Sequence, residues 1–410
     1  MTIDQDRLTS ELETLSAFSD APAPAVTRIV FTDADRRARA YIKDLCGSAG
    51  LQVREDAVGN SFARWAGEDE TLPAVGTGSH IDAIPHSGRY DGTVGVLGGL
   101  EAILSLRRSG FLPRRSIELL MFTSEEPTRF GIGCLGSRLL SGNLSAASAR
   151  TLKDNDGRTL DEVRMAAGFH GSLEDAKLPH GYYHAFIELH IEQGPLLEQQ
   201  RIPLGIVSSI AAPASFRIVI EGEGGHAGAV LMPDRHDAFL AAAEVALEVE
   251  AAARSTGAID TVGTVGVCEV FPGAVNSIPS RVVLMLDARD TDEQRRDSIL
   301  DSIRNHCERV SRERGVTIDW TLINADSPAV SSPMVMEALT NACRTQRVDF
   351  QIMVSRAYHD SLFMSRIAPT AMLFVPCAKG YSHRPGEYAA PDDIARGAAV
   401  LASALAELAT

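Results

Sequence analysis

Side chains of metal-ligand type recur in this chain wherever an apolar run ends. His80 and Asp82 stand in Gly78-Ser79-His80-Ile81-Asp82, and Asp91 in Gly88-Arg89-Tyr90-Asp91-Gly92. Glu125 and Glu126 stand in Thr123-Ser124-Glu125-Glu126-Pro127, His190 in Glu188-Leu189-His190-Ile191-Glu192, and His383 in Gly380-Tyr381-Ser382-His383. Each has a plain alternative when taken alone. Alone, His80 reads first as a strand-end histidine paired with Asp82, Asp91 as a helix N-cap, and the Glu125-Glu126 pair as a solvated loop. Adjacent carboxylates are costly to bury without a cation, however. Taken together, His80, Asp91, Glu126, His190 and His383 supply three imidazoles and two carboxylates. That set suits two divalent ions sharing one carboxylate, roughly 3.5–4 Å apart around a common hydroxide. Nitrogen and oxygen donors favour Mn2+ or Zn2+ over iron–sulfur or cuprous sites. Asp82 is placed to accept the second ring N–H of a ligating His80, and the adjacent carboxylates Glu125 and Glu126 could divide labour, one binding metal and the other moving a proton.

Such a set needs strand ends to converge. Short apolar runs alternate with longer periodic ones, the pattern of an α/β protein. Strands are expected over Leu72–Ser79, Ser116–Thr123, Ala185–Ile191 and Thr370–Pro376, with helices over Asp91–Arg108 and Pro391–Leu408. Ligands gather where the strands of such sheets end. The middle of the chain differs. Strands near 215–222, 261–271, 281–289 and 316–323, with helices near 234–254 and 292–313, give the split βαβ order of a ferredoxin-like domain. The expectation is a mixed-sheet α/β metallohydrolase domain, residues 1–210 and 326–410, carrying an inserted ferredoxin-like α+β domain, residues 211–325. Hinges fall near Ser208–Pro213 and Asp326–Ser331.

The chain has 410 residues, 45% of them hydrophobic and 23% charged, with a formal net charge of −15. That acidity argues against nucleic acid and anionic membranes as partners, but leaves a local pocket free to hold a small anion. The six cysteines form no C-x-x-C pair. Scattered thiols in a chain this long read as reduced and cytoplasmic. Met1–Phe18 lacks the basic-then-apolar order of a secretory leader. Gly131-x-Gly133-x-x-Gly136 formally matches a dinucleotide fingerprint, yet Glu125–Phe130 separate it from the strand. Neither a G-x-S-x-G elbow nor an H-E-x-x-H zinc motif occurs.

The motifs together resemble the dinuclear metallohydrolase superfamily of aminoacylases and metallo-carboxypeptidases. Within it the chain is similar to the hydantoinase/carbamoylase branch. The mark of that branch is ELHIEQGP at 188–195, where His190 replaces a carboxylate ligand. GSHIDAIPHSGRYDG at 78–92, TSEEPTRFGIGCLGSR at 123–138, AYHDSLFM at 357–364 and PCAKGYSHRPGEY at 376–388 bring it nearest to the ureidoglycolate amidohydrolases. The resemblance implies a metal-dependent amidohydrolase that cleaves the ureido group of a small anionic substrate. Ureidoglycolate, giving glyoxylate, ammonia and carbon dioxide, is the expected one, with N-carbamoyl-L-amino acids or allantoate as alternatives.

The same resemblance implies one metal on His80, Asp91 and His190 and a second on Asp91, Glu126 and His383, with Asp91 bridging and Glu125 as general base. It implies substrate contacts from Gln193, Asn276 and Arg289. His226 would reach a neighbour's site to stabilise the oxyanion, so a homodimer is expected, with the inserted domain as lid and dimerisation element. The residues themselves leave other roles open: a loop amide for Gln193, a turn histidine for His226, and for Arg289 an ion pair with Asp287 or Asp290.

Overall fold

The structure, a computed structural model, describes residues 2–410. The chain divides into two compact units. The first comprises Met1–Ser208, Val330–Ser355 and His359–Thr410, and the second Ser209–Ala329 with Arg356–Tyr358.

The first unit is built on a nine-stranded mixed sheet. Its centre is four parallel strands in the order Thr370–Val375, Tyr183–Ile191, Ala74–His80, Ile117–Phe122. These strands are buried almost throughout, because helices cover both faces of a parallel sheet. That is why they read as unbroken apolar runs rather than as alternating ones. Antiparallel strands extend the sheet on both sides: Ser61–Trp65 and Gln52–Glu55 beyond Ile117–Phe122, and Leu204–Ile210 beyond Thr370–Val375. The helix Thr93–Arg108 is buried along most of its length, and its small residues let it lie close to the strands. Leu97, Leu100 and Ile103 pack with Ile187, Leu189, Val375, Leu401 and Leu405 in the main core. The terminal helix Pro391–Leu408 runs as expected from the sequence.

In the second unit, strands Val262–Phe271, Arg281–Asp290, Ala212–Glu221 and Thr317–Ala325 lie in that order, all neighbours antiparallel. This is the ferredoxin-like arrangement. Helices Ala238–Ser255 and Glu293–Arg314 supply Val245, Val249, Ile299 and Ile303 to a core with Phe216, Ile218, Leu284 and Leu286. Alternate residues of the two central strands face away from that core, as a sheet packed on one side requires. A two-stranded ladder, Gly225–His226 with Ser277–Ile278, was not legible in the sequence. Two residues a side carry no periodicity to detect.

Candidate metal centre

Parallel strands all end at one edge, so residues that follow them meet there. His80 closes the strand Ala74–His80 and lies in register with Phe122, the last residue of its neighbour. Glu125 and Glu126 follow that neighbour by three and four residues. His190 is paired with Phe374 near the end of the strand Tyr183–Ile191, and the loop after Val375 leads to His383.

Asp91 lies at the centre. Its Oδ1 is 3.2 Å from His190 Nε2 and 3.6 Å from His80 Nε2, while its Oδ2 is 3.2 Å from His383 Nε2. His383 Nε2 is in turn 3.3 Å from Glu126 Oε1. Two trios result, His80–Asp91–His190 and Asp91–Glu126–His383, each with ligand atoms within 4.8 Å of one another. They share Asp91 through different oxygens. The helix is capped by Gly92, not by Asp91, whose carboxylate faces the imidazoles instead. Gly92 has φ +66°, and a Cβ there would stand 2.5 Å from the His80 ring, so only glycine allows the Asp91 turn to approach the histidine.

The imidazoles are oriented from behind. His80 Nδ1 is 3.0 Å from the backbone oxygen of Asp82, and His190 Nδ1 is 2.9 Å from that of Ile191. With Nδ1–H donated to a carbonyl, Nε2 of each ring presents its lone pair to the Asp91 side. The Asp82 carboxylate is 3.6 Å from His80 Nδ1 and has another task. It accepts the backbone N–H groups of Glu125 (3.2 Å) and Glu126 (3.0 Å). Opposite, Cys134, Leu135 and Gly136 donate N–H bonds to the carbonyls of Glu125, Ser124 and Thr123. The amides of the apparent dinucleotide fingerprint are therefore spent on holding this loop, and the glycines open a helix of seven residues that no strand directly precedes.

Glu125 and Glu126 are 8% and 5% exposed, which removes the solvated-loop alternative. Burial pushes the Glu125 carboxyl well above the usual carboxylate range, and Glu126, Asp360 and Asp91 add to it. Burial also raises Glu126, against the pull of His383. Burial works against ionising Asp91 too, but His190, His383 and His80 outweigh it and hold its carboxyl well below the ordinary value. His383 is pushed up to about 11 by Asp91 and Glu126. Among the described residues, no lysine or arginine forms an ion pair with Asp82, Asp91, Glu125 or Glu126. This surplus of buried negative charge, set among imidazoles that present Nε2, fits divalent cations.

Gln193 donates Nε2–H to Asp91 Oδ2 at 2.9 Å, and its Oε1 is buried with no hydrogen-bond partner. The other expected contacts belong to the second unit. The short ladder puts His226 opposite Ser277, next to Asn276, and both His226 and Asn276 are exposed. Arg289 donates Nε–H to Asp287 Oδ1 at 2.7 Å and stacks on the Tyr358 ring.

Sequence reasoning missed three supports. Glu387 accepts the N–H groups of Tyr90 and Asp91, Cys134 Sγ lies 3.4 Å from Glu125 Oε1, and the His359 ring packs 4.5 Å from that of His190. All three stand in motifs quoted above, but nothing in their spacing tells which side chain they meet.

A parallel-sheet α/β unit with buried imidazoles and carboxylates at its strand ends, interrupted by an antiparallel α+β unit, defines a metal-dependent hydrolase. The model of peptidase family M20/M25/M40 matches residues 76–407, and the chain belongs to that family. It is 52% identical to a ureidoglycolate hydrolase of Oryza sativa subsp. japonica, over 99% of this chain and 85% of that one. It is 37% identical to an N-carbamoyl-L-amino acid amidohydrolase of Geobacillus stearothermophilus, over 97% of each. The crystal structure of AtUAH in complex with glyoxylate superposes with a TM-score of 0.92 at 51% identity, covering 100% of this chain and 98% of that one. No helix among the described residues is long and apolar enough to cross a membrane.

Proposed function

We propose that this chain hydrolyses the ureido group of ureidoglycolate, releasing glyoxylate, ammonia and carbon dioxide, with two divalent ions held around Asp91. The observation that carries this reading is the pair of trios sharing Asp91 through separate oxygens, in a chain 52% identical over its length to ureidoglycolate hydrolases. His80, Asp91 and His190 would hold one ion, and Asp91, Glu126 and His383 the other. Bound Mn2+ or Zn2+ would polarise the ureido carbonyl and make a bound water acidic.

The chain's own residues do the rest. Glu125 presents Oε2 on the side of His80 Nε2, 3.9 Å away. From there it takes the proton of the attacking water and hands it to the leaving nitrogen. Gln193 Oε1 is an unmet acceptor suited to a urea N–H. On the family likeness, Arg289 and Asn276 hold the substrate carboxylate and His226 the developing oxyanion. Arg289 must then share its fork between Asp287 and the substrate. His226 serves the site of a second copy, so the working unit is a homodimer. In support, the ten-residue edge strand Val262–Phe271 exposes Val262, Val267 and Phe271, as an edge awaiting cover would.

Ammonia release by the Mn2+-loaded protein from ureidoglycolate, allantoate and N-carbamoyl-L-amino acids, assayed in parallel, tests the assignment. Ureidoglycolate is expected to give the highest kcat/KM. A preference for either other substrate moves the chain to the alternative specificity, and no release from any of them refutes the amidohydrolase reading.

A further inference from the structure

Glu387 lies outside both ligand trios, yet its carboxylate ties together the two loops that carry Asp91 and His383. Its Oε1 accepts the backbone N–H groups of Tyr90 at 2.7 Å and of Asp91 at 3.0 Å, and its Oε2 lies 2.9 Å from Ser382 Oγ. The residue is 5% exposed. Gly88 lets it sit there, since a Cβ at that position would fall 2.3 Å from Glu387 Cβ. Ser382 Oγ is also 3.1 Å from Asp91 Oδ2, the oxygen that faces His383, and 3.2 Å from Gln193 Nε2. A serine hydroxyl has one proton to donate, and here two carboxylate oxygens compete for it.

We propose that Glu387 is a positioning residue that draws the Ser382 hydroxyl proton to itself and so keeps Asp91 Oδ2 open to a divalent cation at the Asp91–Glu126–His383 trio. This rests on the two-ion reading given above. A carboxylate oxygen offers about two lone-pair sites. At Asp91 Oδ2, Gln193 Nε2 occupies one of them, and His383 Nε2, 3.2 Å away, faces the other until it gives up its proton to become a ligand. With the Ser382 proton on Glu387, that second site passes from His383 to the cation. With that proton turned to Asp91, the site stays taken after His383 has lost its proton, and a cation must displace a further hydrogen bond before it can bind.

Glu387→Gln tests the direction of this hydrogen bond without changing the shape of the side chain. The amide oxygen must stay on the Tyr90 and Asp91 N–H groups, because an NH2 there would face two donors. The NH2 then points at Ser382 Oγ and donates to it, which turns the hydroxyl proton towards Asp91 Oδ2. The full chain, stripped of metal with a chelator, is titrated calorimetrically with Mn2+ alone, as wild type, Glu387→Gln, Ser382→Ala and the double variant. Thermal unfolding of each metal-free protein checks that the fold is kept.

The wild type is expected to take up two ions. Glu387→Gln should weaken one of them by about tenfold or more, the usual scale for a residue supporting a ligand, and leave the other unchanged. Ser382→Ala should bind both at least as tightly as wild type, and adding it to Glu387→Gln should restore the weakened site. Unaltered binding by Glu387→Gln overturns the proposal. So does a double variant as weak as Glu387→Gln, or weakened binding by Ser382→Ala alone. A wild type that takes up fewer than two ions overturns the two-ion reading and this inference with it.

Discussion

Replacing Glu125 with glutamine tests the proposed proton carrier separately from the proposed metal ligands. Glu125 is in neither trio, and its backbone is pinned from both sides, by the Asp82 carboxylate on its N–H and by the Cys134 N–H on its carbonyl. The isosteric amide therefore keeps its place. Cys134 Sγ is a donor at Oε1, so the amide oxygen takes that side and the NH2 takes the side of His80 Nε2. A group able to accept a proton from water is replaced there by one that can only donate. Loss of a general base costs about 100- to 10,000-fold, or about 2.7–5.4 kcal/mol at 1.36 kcal/mol per tenfold. The loss should appear in kcat, with KM nearly unchanged. Stability should move the other way. Burial already pushes the Glu125 carboxyl well up, with Glu126, Asp360 and Asp91 as like-charged neighbours. A neutral amide relieves that load, so the metal-free variant should unfold at the same denaturant concentration as wild type or a higher one. Stopped assays of ammonia, with metal content measured on the same samples, decide the matter. A metal-loaded variant within tenfold of wild-type kcat would refute the general-base role.

Three further perturbations follow from the geometry. Gly92→Ala forces a Cβ to within 2.5 Å of the His80 ring at φ +66°; it should cost about 1–3 kcal/mol in chemical unfolding and weaken Mn2+ binding, and wild-type affinity would count against the close approach. In the metal-free fold Asp91 and Glu126 hold His383 near 11, above its ordinary 6.5, so its proton stabilises that fold fully below about 6.5 and the benefit is lost as pH rises through about 11. A ligating imidazole must give that proton up, so Mn2+ affinity should rise from pH 6 to pH 8 with proton release, read by calorimetry in buffers of different ionisation enthalpy; pH-independent affinity refutes His383 as a ligand. Arg289→Ala breaks a partly exposed pair with Asp287 and should change stability by no more than about 1 kcal/mol, yet raise KM for carboxylate substrates by about tenfold or more; an unchanged KM would refute a substrate-binding role for Arg289.

What the sequence reveals and what it hides have separable causes. The proposed strand-end ligands were legible because a buried parallel strand leaves an apolar run, and a histidine or acid at its end or just beyond it is conspicuous. His80, Glu126 and His190 are of this kind. The partners of those residues were not legible. Glu387 meets Asp91 across 296 positions of chain, a separation with no local trace. Asp82 was read as a ring acceptor because it stands two residues after His80, yet the backbone turns so that its carbonyl takes the ring and its carboxylate takes two amides. Local spacing identified the residue but not which of its oxygens does the work. Arg356–Tyr358 belongs with the second unit although its sequence neighbours belong with the first, because Arg356 pairs with Asp260 and Tyr358 lies under Arg289.

The way the acids of this site are held explains why it demands a cation. Asp82 is bound by the amides of Glu125 and Glu126, and Glu387 by those of Tyr90 and Asp91 together with the Ser382 hydroxyl. Just behind them Glu188 is bound by the Ser361 amide and the Ser79 hydroxyl. Every one of these donors is neutral. Amides satisfy the lone pairs of a buried carboxylate and fix its direction, but they leave its charge in place. An arginine or lysine in the same positions would have oriented the acids equally well and cancelled the charge. Orientation without neutralisation leaves a buried, negative site in which Asp91, Glu125 and Glu126 are balanced by protons, on the imidazoles of His80, His190 and His383 or on the raised carboxyls of Glu125 and Glu126, or by metal ions. On the proposed ligand set, protons and metal compete for the same Nε2 atoms, and the chemistry available to the protein is then set by which of them wins at the working pH.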